Sequence, residues 1–245
     1  AYTTEAPKNV GKYVIRITTA ETDTFKAASS TMKFEIQPRE VTISDVKVAD
    51  KTYDGTIDAK ITNAGTLSVN YDGDNLAIVI GKAAYDDKNV GTDKAVSFTG
   101  FELSGSAAGN YKLVAQPAST TADITVKEIT INGATVEGSK VYDGTSEAKI
   151  TNAGTLSDNY DGENLTIVAG SAAYDNKNVG TGKTVAFTGF ALAGDAAANY
   201  KLIAQPTDTT ADITAKEIAI NGAAVEASRI YNGTTDAKIT NAGTP

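Results

Sequence analysis

The chain has 245 residues, a formal net charge of -8, and neither histidine nor cysteine. Those two absences exclude disulfides, thiolate or imidazole metal sites, and Ser-His-Asp triads. Lysine and arginine are scattered singly through this acidic chain, so we expect no nucleic-acid partner. No apolar stretch approaches the roughly 18 to 20 residues that a membrane helix requires, so we expect no membrane insertion in this segment.

The dominant feature of the sequence is a long internal repeat. The tyrosine of a Tyr-(Asp/Asn)-Gly-Thr element recurs every 89 residues, at Tyr53, Tyr142 and Tyr231. Tyr53–Ile129 aligns with Tyr142–Ile218 without a gap, and 58 of the 77 paired positions are identical. A period of that length matches one small domain, so we interpret the chain as a tandem array.

Shorter matches place the boundaries of the repeats. The Lys-Asn-Val-Gly sequence at 8–11 returns at 88–91 and 177–180, which makes the start of the chain the rear part of a more divergent repeat. The Thr-Asn-Ala-Gly-Thr sequence at 240–244 matches 62–66, in the front part of a repeat. We expect a segment of a longer repetitive protein, with a rear part, two complete repeats and a front part at 1–39, 40–128, 129–217 and 218–245.

Each repeat shows the period-two alternation that is typical of β-strands, and no window keeps the apolar stripe of a helix. The predicted fold is all-β, with each repeat a small Ig-like β-sandwich in a rod-like array. A β-grasp-like repeat is the alternative. In the first complete repeat, strands are predicted within Val41–Val48, Ala59–Leu67, Leu76–Ile80, Val96–Phe98, Tyr111–Leu113 and Ala122–Val126.

Comparison of the two complete copies predicts which side chains face the core. Ser97 and Glu102 become Ala186 and Ala191 in the second copy, so these positions should face water. Eight unchanged residues should face the core, namely Leu76, Ile78, Phe98, Phe101, Leu103, Tyr111, Leu113 and Ile124.

The joint between the complete repeats contains no Gly/Ser-rich or Pro-rich linker. Ile124–Ile131 reads Ile-Thr-Val-Lys-Glu-Ile-Thr-Ile, a continuous β-rich segment. It predicts a strand shared by adjacent repeats, with limited hinge freedom.

The Tyr-Asp-Gly-Thr element admits a structural and a functional interpretation. Asp-Gly favours turns, because glycine takes a positive φ without strain and aspartate hydrogen-bonds its own backbone. Asp54 and Asp143 could instead be acid/base groups or metal ligands. The third copy has Asn232, which can hold a turn but carries no charge. A structural turn with Tyr53 packed beside it is therefore favoured.

A second acidic element, Asp-Gly-(Asp/Glu)-Asn, occurs at 72–75 and 161–164. Its carboxylate and amide oxygens are the ligands that Ca²⁺ uses, but roughly six to eight are needed and the EF-hand spacing is absent. A solvated hairpin turn is the simpler interpretation, so we expect no cofactor. The calcium candidates are Asp72, Asp74, Asp161 and Glu163.

An enzyme is not expected. The adjacent carboxylates Asp86 and Asp87 suggest a glycosidase pair, but the second copy has Asp175 and Asn176 there. The usual general base is also missing, because the chain has no histidine. No catalytic residue is therefore assigned.

An internal amide crosslink between lysine and asparagine is a further possibility, which would need a buried acid nearby. Position 51 is excluded as a general donor, because the third copy has Arg229 there. The alternative is that these are surface polar residues. The candidates kept in both copies are Lys60, Asn63, Lys88, Asn89, Asn110, Lys112, Asp123 and Glu128.

Three motifs together resemble a known family. They are the Lys-x-Tyr-Asp-Gly-Thr start at 51–56, the Lys-Asn-Val-Gly-Thr middle at 88–92 and the Asn-Tyr-x-Leu element at 110–113. From about residue 40 onward, the chain resembles the YDG-type repeat of bacterial surface proteins. The preceding piece, with Lys8–Tyr13 and a strand at Met32–Gln37, is similar to the end of a related Ig-like repeat, the MBG type.

The resemblance implies a location and a role. Similar repeats form stalks in large bacterial adhesins, so an extracellular position at the bacterial cell surface is expected. The expected role is a structural stalk or fibre segment that presents a binding domain. Its partners would be neighbouring repeats and, if it self-assembles, other copies of the chain. The alternative is a repeated module that binds a glycan or a host protein.

Overall fold

The computed structural model describes residues 5–71, 73–160 and 162–245. Within these ranges the only helical segments are two 3-10 turns, Ala108–Asn110 and Ala197–Asn199. Neither is long or apolar enough to cross a membrane. The all-β prediction is thus confirmed. The chain separates into two compact units, Ala1–Lys127 with Ala198–Lys201, and Glu128–Ala197 with Leu202–Pro245.

The first unit is built around a five-stranded sheet. The strands of this unit, not all of which belong to the sheet, are β1 (Gly11–Thr19), β2 (Ala28–Ile36), β3 (Arg39–Val41), β4 (Ile43–Ser44), β5 (Lys47–Val48), β6 (Lys51–Thr52), β7 (Asp58–Ala59), β8 (Ile61–Asn63), β9 (Thr66–Leu67), β10 (Ala77–Val79), β11 (Lys82–Tyr85), β12 (Gly91–Thr99), β13 (Glu102–Ser104), β14 (Tyr111–Leu113) and β15 (Thr120–Thr125). The sheet order is β6-β15-β12-β11-β7. Its β6–β15 pair is parallel and the other pairs are antiparallel.

The remaining strands repeat this pattern. They are β16 (Lys127–Ile129), β17 (Ile131–Asn132), β18 (Thr135–Val136), β19 (Ser139–Val141), β20 (Glu147–Ala148), β21 (Ile150–Asn152), β22 (Thr155–Leu156), β23 (Thr166–Val168), β24 (Ser171–Tyr174), β25 (Gly180–Thr188), β26 (Ala191–Ala193), β27 (Tyr200–Leu202), β28 (Thr209–Thr214), β29 (Ala224–Val225) and β30 (Ile239–Asn241). The five-stranded sheet of the second unit has the order β19-β28-β25-β24-β20.

The N-terminal hairpin, β1 with β2, starts like the central strand pair of a repeat but lacks the bulge that shifts the β12–β15 register after Gly91. Gly11 lies opposite Ile36, as Gly91 lies opposite Ile124 in the β12–β15 pair. In the five-stranded sheet that pair is flanked on both sides by further strands. The hairpin forms a two-stranded sheet, and its large apolar side chains are correspondingly exposed, with Ile17 at 57%.

The core uses the same aromatic contact in both units. Phe98 and Phe101 meet edge to face with ring centroids 5.8 Å apart. Phe187 and Phe190 repeat this at 5.7 Å. Such edge-to-face pairs add to the free energy of burying the rings. Beside each pair lies a valine with no exposed surface, Val96 or Val185 in the second unit.

The predicted faces are confirmed. All eight residues assigned to the core are buried or half-buried, whereas Ser97 and Glu102 are exposed, as are Ala186 and Ala191. Comparison of the two copies therefore identified the core positions correctly.

The prediction of one continuous strand over Ile124–Ile131 is wrong. The segment is divided between β15, β16 and β17, and Val126 and Thr130 lie outside any strand. The physical reason is a change of partner, because β15 pairs with β12 and β17 pairs with β22.

Gly81 lies where two backbone segments approach closely. A Cβ atom added there would overlap the carbonyl oxygen of Thr99 and the backbone of Gly100. The corresponding Gly170 has the same contacts with Thr188 and Gly189. Glycine is required at both positions by space, since neither has a positive φ.

We expect Gly81→Ala to lower the free energy of unfolding by about 1–3 kcal/mol, because the added methyl group must displace backbone. Urea-induced unfolding of the full chain measures this. The control is Gly109→Ala, where an added Cβ would have no neighbour within 4 Å. Equal midpoints for the two variants would contradict the packing argument.

Candidate functional site

The Tyr-Asp-Gly-Thr element forms the predicted turn. One carboxylate oxygen of Asp54 accepts hydrogen bonds from the backbone N–H of Thr56 at 2.9 Å and from its hydroxyl at 2.8 Å. Gly55 has a φ of 77°, which glycine adopts without strain. The aspartate therefore organises the backbone that follows it.

The turn also encloses an ammonium group that the sequence analysis did not identify. Lys51 Nζ donates to the Asp54 carboxylate at 2.8 Å, to the Thr56 carbonyl at 2.8 Å and to the Asp58 carbonyl at 3.0 Å. It also lies 5.3 Å from the centroid of the Tyr85 ring. Only 15% of the Lys51 side chain is exposed. We call this arrangement the lysine turn.

The second repeat has the same lysine turn. Lys140 Nζ donates to Asp143 at 3.0 Å, and to the carbonyls of Thr145 and Glu147 at 2.9 Å each. It lies 5.5 Å from the centroid of the Tyr174 ring. The arrangement is thus a property of the repeat.

The third copy changes both partners together. Arg229 donates through one nitrogen to the Asn232 side chain at 3.1 Å and to the Thr234 hydroxyl at 3.0 Å. Its other terminal nitrogen donates to the Thr234 carbonyl. Asn232 still accepts from the Thr234 N–H at 3.1 Å. A cation and a turn-forming oxygen persist, whereas the carboxylate does not. The signal available in the sequence was a basic residue two positions before each repeating tyrosine.

The adjacent carboxylates Asp86 and Asp87 are held by one lysine. Lys94 Nζ lies 2.8 Å from Asp87 and 3.3 Å from Asp86, and 10% of its side chain is exposed. The hydrogen bond from Lys94 lowers the pKa of Asp87. The general acid of a glycosidase requires the opposite, a raised pKa. In the second repeat Lys183 binds Asp175 at 2.7 Å and the Asn176 side chain at 2.9 Å.

The calcium candidates are only partly described. Asp72 and Asp161 lie outside the described residues. Asp74 accepts a hydrogen bond from the Tyr111 hydroxyl at 2.5 Å, and its backbone N–H donates to the Tyr71 carbonyl at 3.0 Å.

The Glu163 N–H makes the corresponding turn bond to the Tyr160 carbonyl at 3.2 Å. No group of three or more acidic residues in the described ranges could hold a metal ion.

The crosslink candidates are dispersed over the repeat. Lys60 and Glu128 are exposed, and Lys88 is half-buried. Asn63 accepts from the Gly65 N–H at 2.8 Å.

The other candidates have local partners. The Lys112 ammonium is 3.8 Å from the Glu40 carboxylate, and both side chains are mostly exposed. Asp123 accepts from the Asp93 N–H at 2.8 Å. The remaining two candidates, Asn89 and Asn110, belong to a different arrangement.

That arrangement is centred on Asn199, which belongs to the first compact unit. Its side-chain oxygen accepts from the Val90 N–H at 2.9 Å, and its amide nitrogen donates to the Asn89 side chain at 3.1 Å. Asn199 is 4% exposed and is the one buried polar residue in the described part of the chain. Next to it, the Tyr200 ring meets the buried Tyr53 ring edge to face at 5.4 Å.

Asn110 makes the same contact with the divergent N-terminal segment. Its oxygen accepts from the Val10 N–H at 2.9 Å and its nitrogen donates to the Asn9 side chain at 3.1 Å. We call this two-bond contact the asparagine clamp. The sequence analysis found both of its halves, the Lys-Asn-Val-Gly and Asn-Tyr-x-Leu motifs, but did not pair them. Each clamp joins consecutive repeats of the sequence.

A groove of about 830 Å³ lies beside the Asn110 clamp. Its lining includes Tyr71, which is 55% exposed, together with the charged residues Arg39, Glu40 and Asp74. The Tyr71 and Tyr111 rings lie 6.3 Å apart at an angle of 38°. An exposed aromatic ring beside hydrogen-bonding groups can bind a polar ligand that has an apolar face.

The model of the YDG domain family matches the chain twice, over residues 37–122 and 124–211. The chain belongs to the YDG domain family. No curated protein and no solved structure matches it. Each YDG domain contributes the asparagine of one clamp. The Asn89–Val90 loop lies within the first YDG domain, whereas Asn9 and Val10 precede it.

We expect the two clamps to form independently, so that a substitution in one leaves the other intact. Asn199→Ala should accelerate hydrogen exchange of the Val90 amide and leave the Val10 amide unchanged, because only Val90 loses its acceptor. Asn110→Ala should have the reciprocal effect. Amide exchange measured by NMR gives both rates, and each variant is the control for the other. Equal acceleration of both amides in one variant would contradict two independent clamps.

We expect Lys51→Met to lower the free energy of unfolding by about 2 kcal/mol, because two carbonyls lose the ammonium donor and Asp54, which keeps its bonds from Thr56, loses its ion pair. The matched control is Lys112→Met, which removes an exposed lysine and should change stability by less than about 0.5 kcal/mol. Chemical denaturation compares them, and similar losses in both would count against the lysine turn.

Asp143 should make stability depend on pH under acidic conditions. Hydrogen bonds from Thr145 and from Lys140 lower its pKa from 3.8 to about 2. Because the folded-state pKa is the lower one, this contribution is complete above about pH 4 and is lost as the pH falls towards 2. Asp143→Asn, which keeps the turn acceptor, should weaken the pH dependence in that window. Chemical unfolding of the wild-type chain and of Asp143→Asn, measured between about pH 4 and pH 2, tests this. An equal loss of stability in both proteins would contradict the role of Asp143.

Proposed function

We propose that the chain is a structural stalk segment of a large bacterial extracellular surface protein, which spaces or presents a binding domain. The observation that carries the proposal is the asparagine clamp between consecutive repeats. A clamp formed by the same residue types at each joint lets an array grow by adding copies, because every new domain brings both halves of the contact. Length can then change without the design of a new interface.

The composition of the two YDG domains fits a mechanical role. Several of their polar side chains make hydrogen bonds within the fold, in the lysine turns and clamps described above. An N-terminal segment of the MBG type would extend the same array, because it supplies the first Asn-Val dipeptide of the clamp series. We propose no catalytic activity and no cofactor for this segment.

Near-identity of the two copies also supports the proposal. With 58 of 77 aligned positions identical, the two domains repeat the same framework. Repetition of this kind suits a spacer, which needs length, or a binding module, which gains avidity when it is repeated. The extracellular location rests on the resemblance to surface-protein repeats.

A second candidate function is glycan or host-protein binding, and the groove beside the Asn110 clamp favours it. Tyr71 offers an exposed ring there, and Arg39 and Glu40 offer charged hydrogen-bonding groups. A ligand bound at that place would contact the joint between the N-terminal segment and the first YDG domain.

Deletion of one period separates the two candidates. Removal of residues 51–139 from the parent protein joins Asp50 to Lys140 and keeps the repeat in register. For a stalk, the parent should retain ligand binding at its presented domain, and the isolated chain should bind neither a glycan array nor host cells.

Saturable binding by the isolated chain that is lost in Tyr71→Ala would favour the binding module instead. Protection of the segment from added protease on intact cells would contradict the surface location.

A further inference from the structure

The Lys-Asn-Val-Gly loop occurs a third time, at residues 177–180, in the second compact unit. Its local conformation follows that of the first YDG domain. The Asn178 N–H donates to the Asn176 side chain at 3.0 Å, as the Asn89 N–H donates to Asp87 at 2.7 Å. Strands β12 and β25 begin at the glycine that ends each loop, and they share the same bulge. The third loop therefore has the shape that the clamp recognises.

In the described ranges, no hydrogen bond reaches the Val179 N–H or the Asn178 side-chain amide. Val179 is 54% exposed, whereas Val90, which is held by Asn199, is half-buried. The loop thus presents one backbone donor and one side-chain amide in the arrangement that is clamped at the two earlier positions.

We infer that the Asn178–Val179 loop is a docking site for the Asn-Tyr-Lys-Leu segment of a further YDG domain. The occupant follows from the two filled examples, Asn110 on Asn9–Val10 and Asn199 on Asn89–Val90, whose paired hydrogen-bond distances are the same. This inference concerns a contact of the fold and does not depend on a role at the cell surface.

The chemistry of the docking site selects asparagine. The incoming side chain must accept from the Val179 N–H and donate to the Asn178 side-chain oxygen. A carboxamide does both, while an ionised aspartate could only accept and would face another oxygen. Binding between separate chains should be weak, because only a short segment is involved, and it becomes effective when the next domain is tethered nearby.

A second copy of this chain can supply the segment once its own Asn110 is released. Val10→Pro removes the N–H that Asn110 accepts from, and Asn9→Ala removes the other partner without altering the backbone. Circular dichroism establishes that each variant is folded, and Asn9→Ala serves as the probe if the proline variant unfolds.

The test adds the unlabelled Val10→Pro chain to the ¹⁵N-labelled wild-type chain. The expected result is a saturable shift of the Val179 amide resonance and a slowing of its hydrogen exchange by about tenfold or more at saturation. The matched control probe is Val10→Pro with Asn110→Ala, which should leave Val179 unchanged. A labelled Asn178→Ala chain should bind the active probe more weakly.

Two results would overturn the inference. One is an unperturbed Val179 resonance at millimolar concentrations of a folded probe. The other is an equal shift with the active and the Asn110→Ala probes, which would mean that contact occurs elsewhere.

Discussion

A carboxamide that is removed from water needs both a donor and an acceptor, and this requirement underlies the contact between consecutive repeats. Asn199 meets it with a backbone N–H and a side-chain oxygen from the same dipeptide of the preceding repeat. Because neither partner can shift by a residue without leaving the amide unsatisfied, the clamp fixes the register of the contact. The penalty for an unmet buried amide is what makes two modest hydrogen bonds specific.

The lysine turn applies the same rule to charge within each domain. An ammonium group that is largely removed from water needs its hydrogen bonds met, and here the turn itself supplies them. The exchange of Lys51 and Asp54 for Arg229 and Asn232 in the third copy shows which property the turn preserves. It preserves a donor directed at backbone carbonyls, and tolerates different charges on the acceptor.

Alternation in the sequence was sufficient for the all-β class, because it is typical of a strand with one buried side, and comparison of the two copies was sufficient for the core faces. Strand prediction failed for β6, β11 and β13, whose sequences Lys-Thr, Lys-Ala-Ala-Tyr and Glu-Leu-Ser contain only one β-branched residue between them. The parallel pairing of β6 with β15 was also missed, since it joins segments 73 residues apart at Lys51 and Ile124. Long-range pairing leaves no mark on local pattern.

The functional contacts divide in the same way. The turn at Asp54 was predictable because its hydrogen bonds lie within two residues. The role of Lys51 in the turn was missed because its ammonium donates mainly to backbone carbonyls, which are common to all residues and give no sequence signal. Asn110 and Asn9 were each found within motifs. The sequence does not show that the asparagine of one repeat pairs with the loop of the repeat before it.

The distance along the chain between the halves of a clamp has a consequence for the order of biogenesis. Asn110 follows Asn9 by 101 residues, and Asn199 follows Asn89 by 110. During synthesis the Asn-Val loop of a clamp emerges before its asparagine partner. Its clamp hydrogen bonds therefore cannot form until most of the following domain has emerged. In both observed clamps, the loop of the earlier repeat therefore finds its partner only after the following repeat has been made.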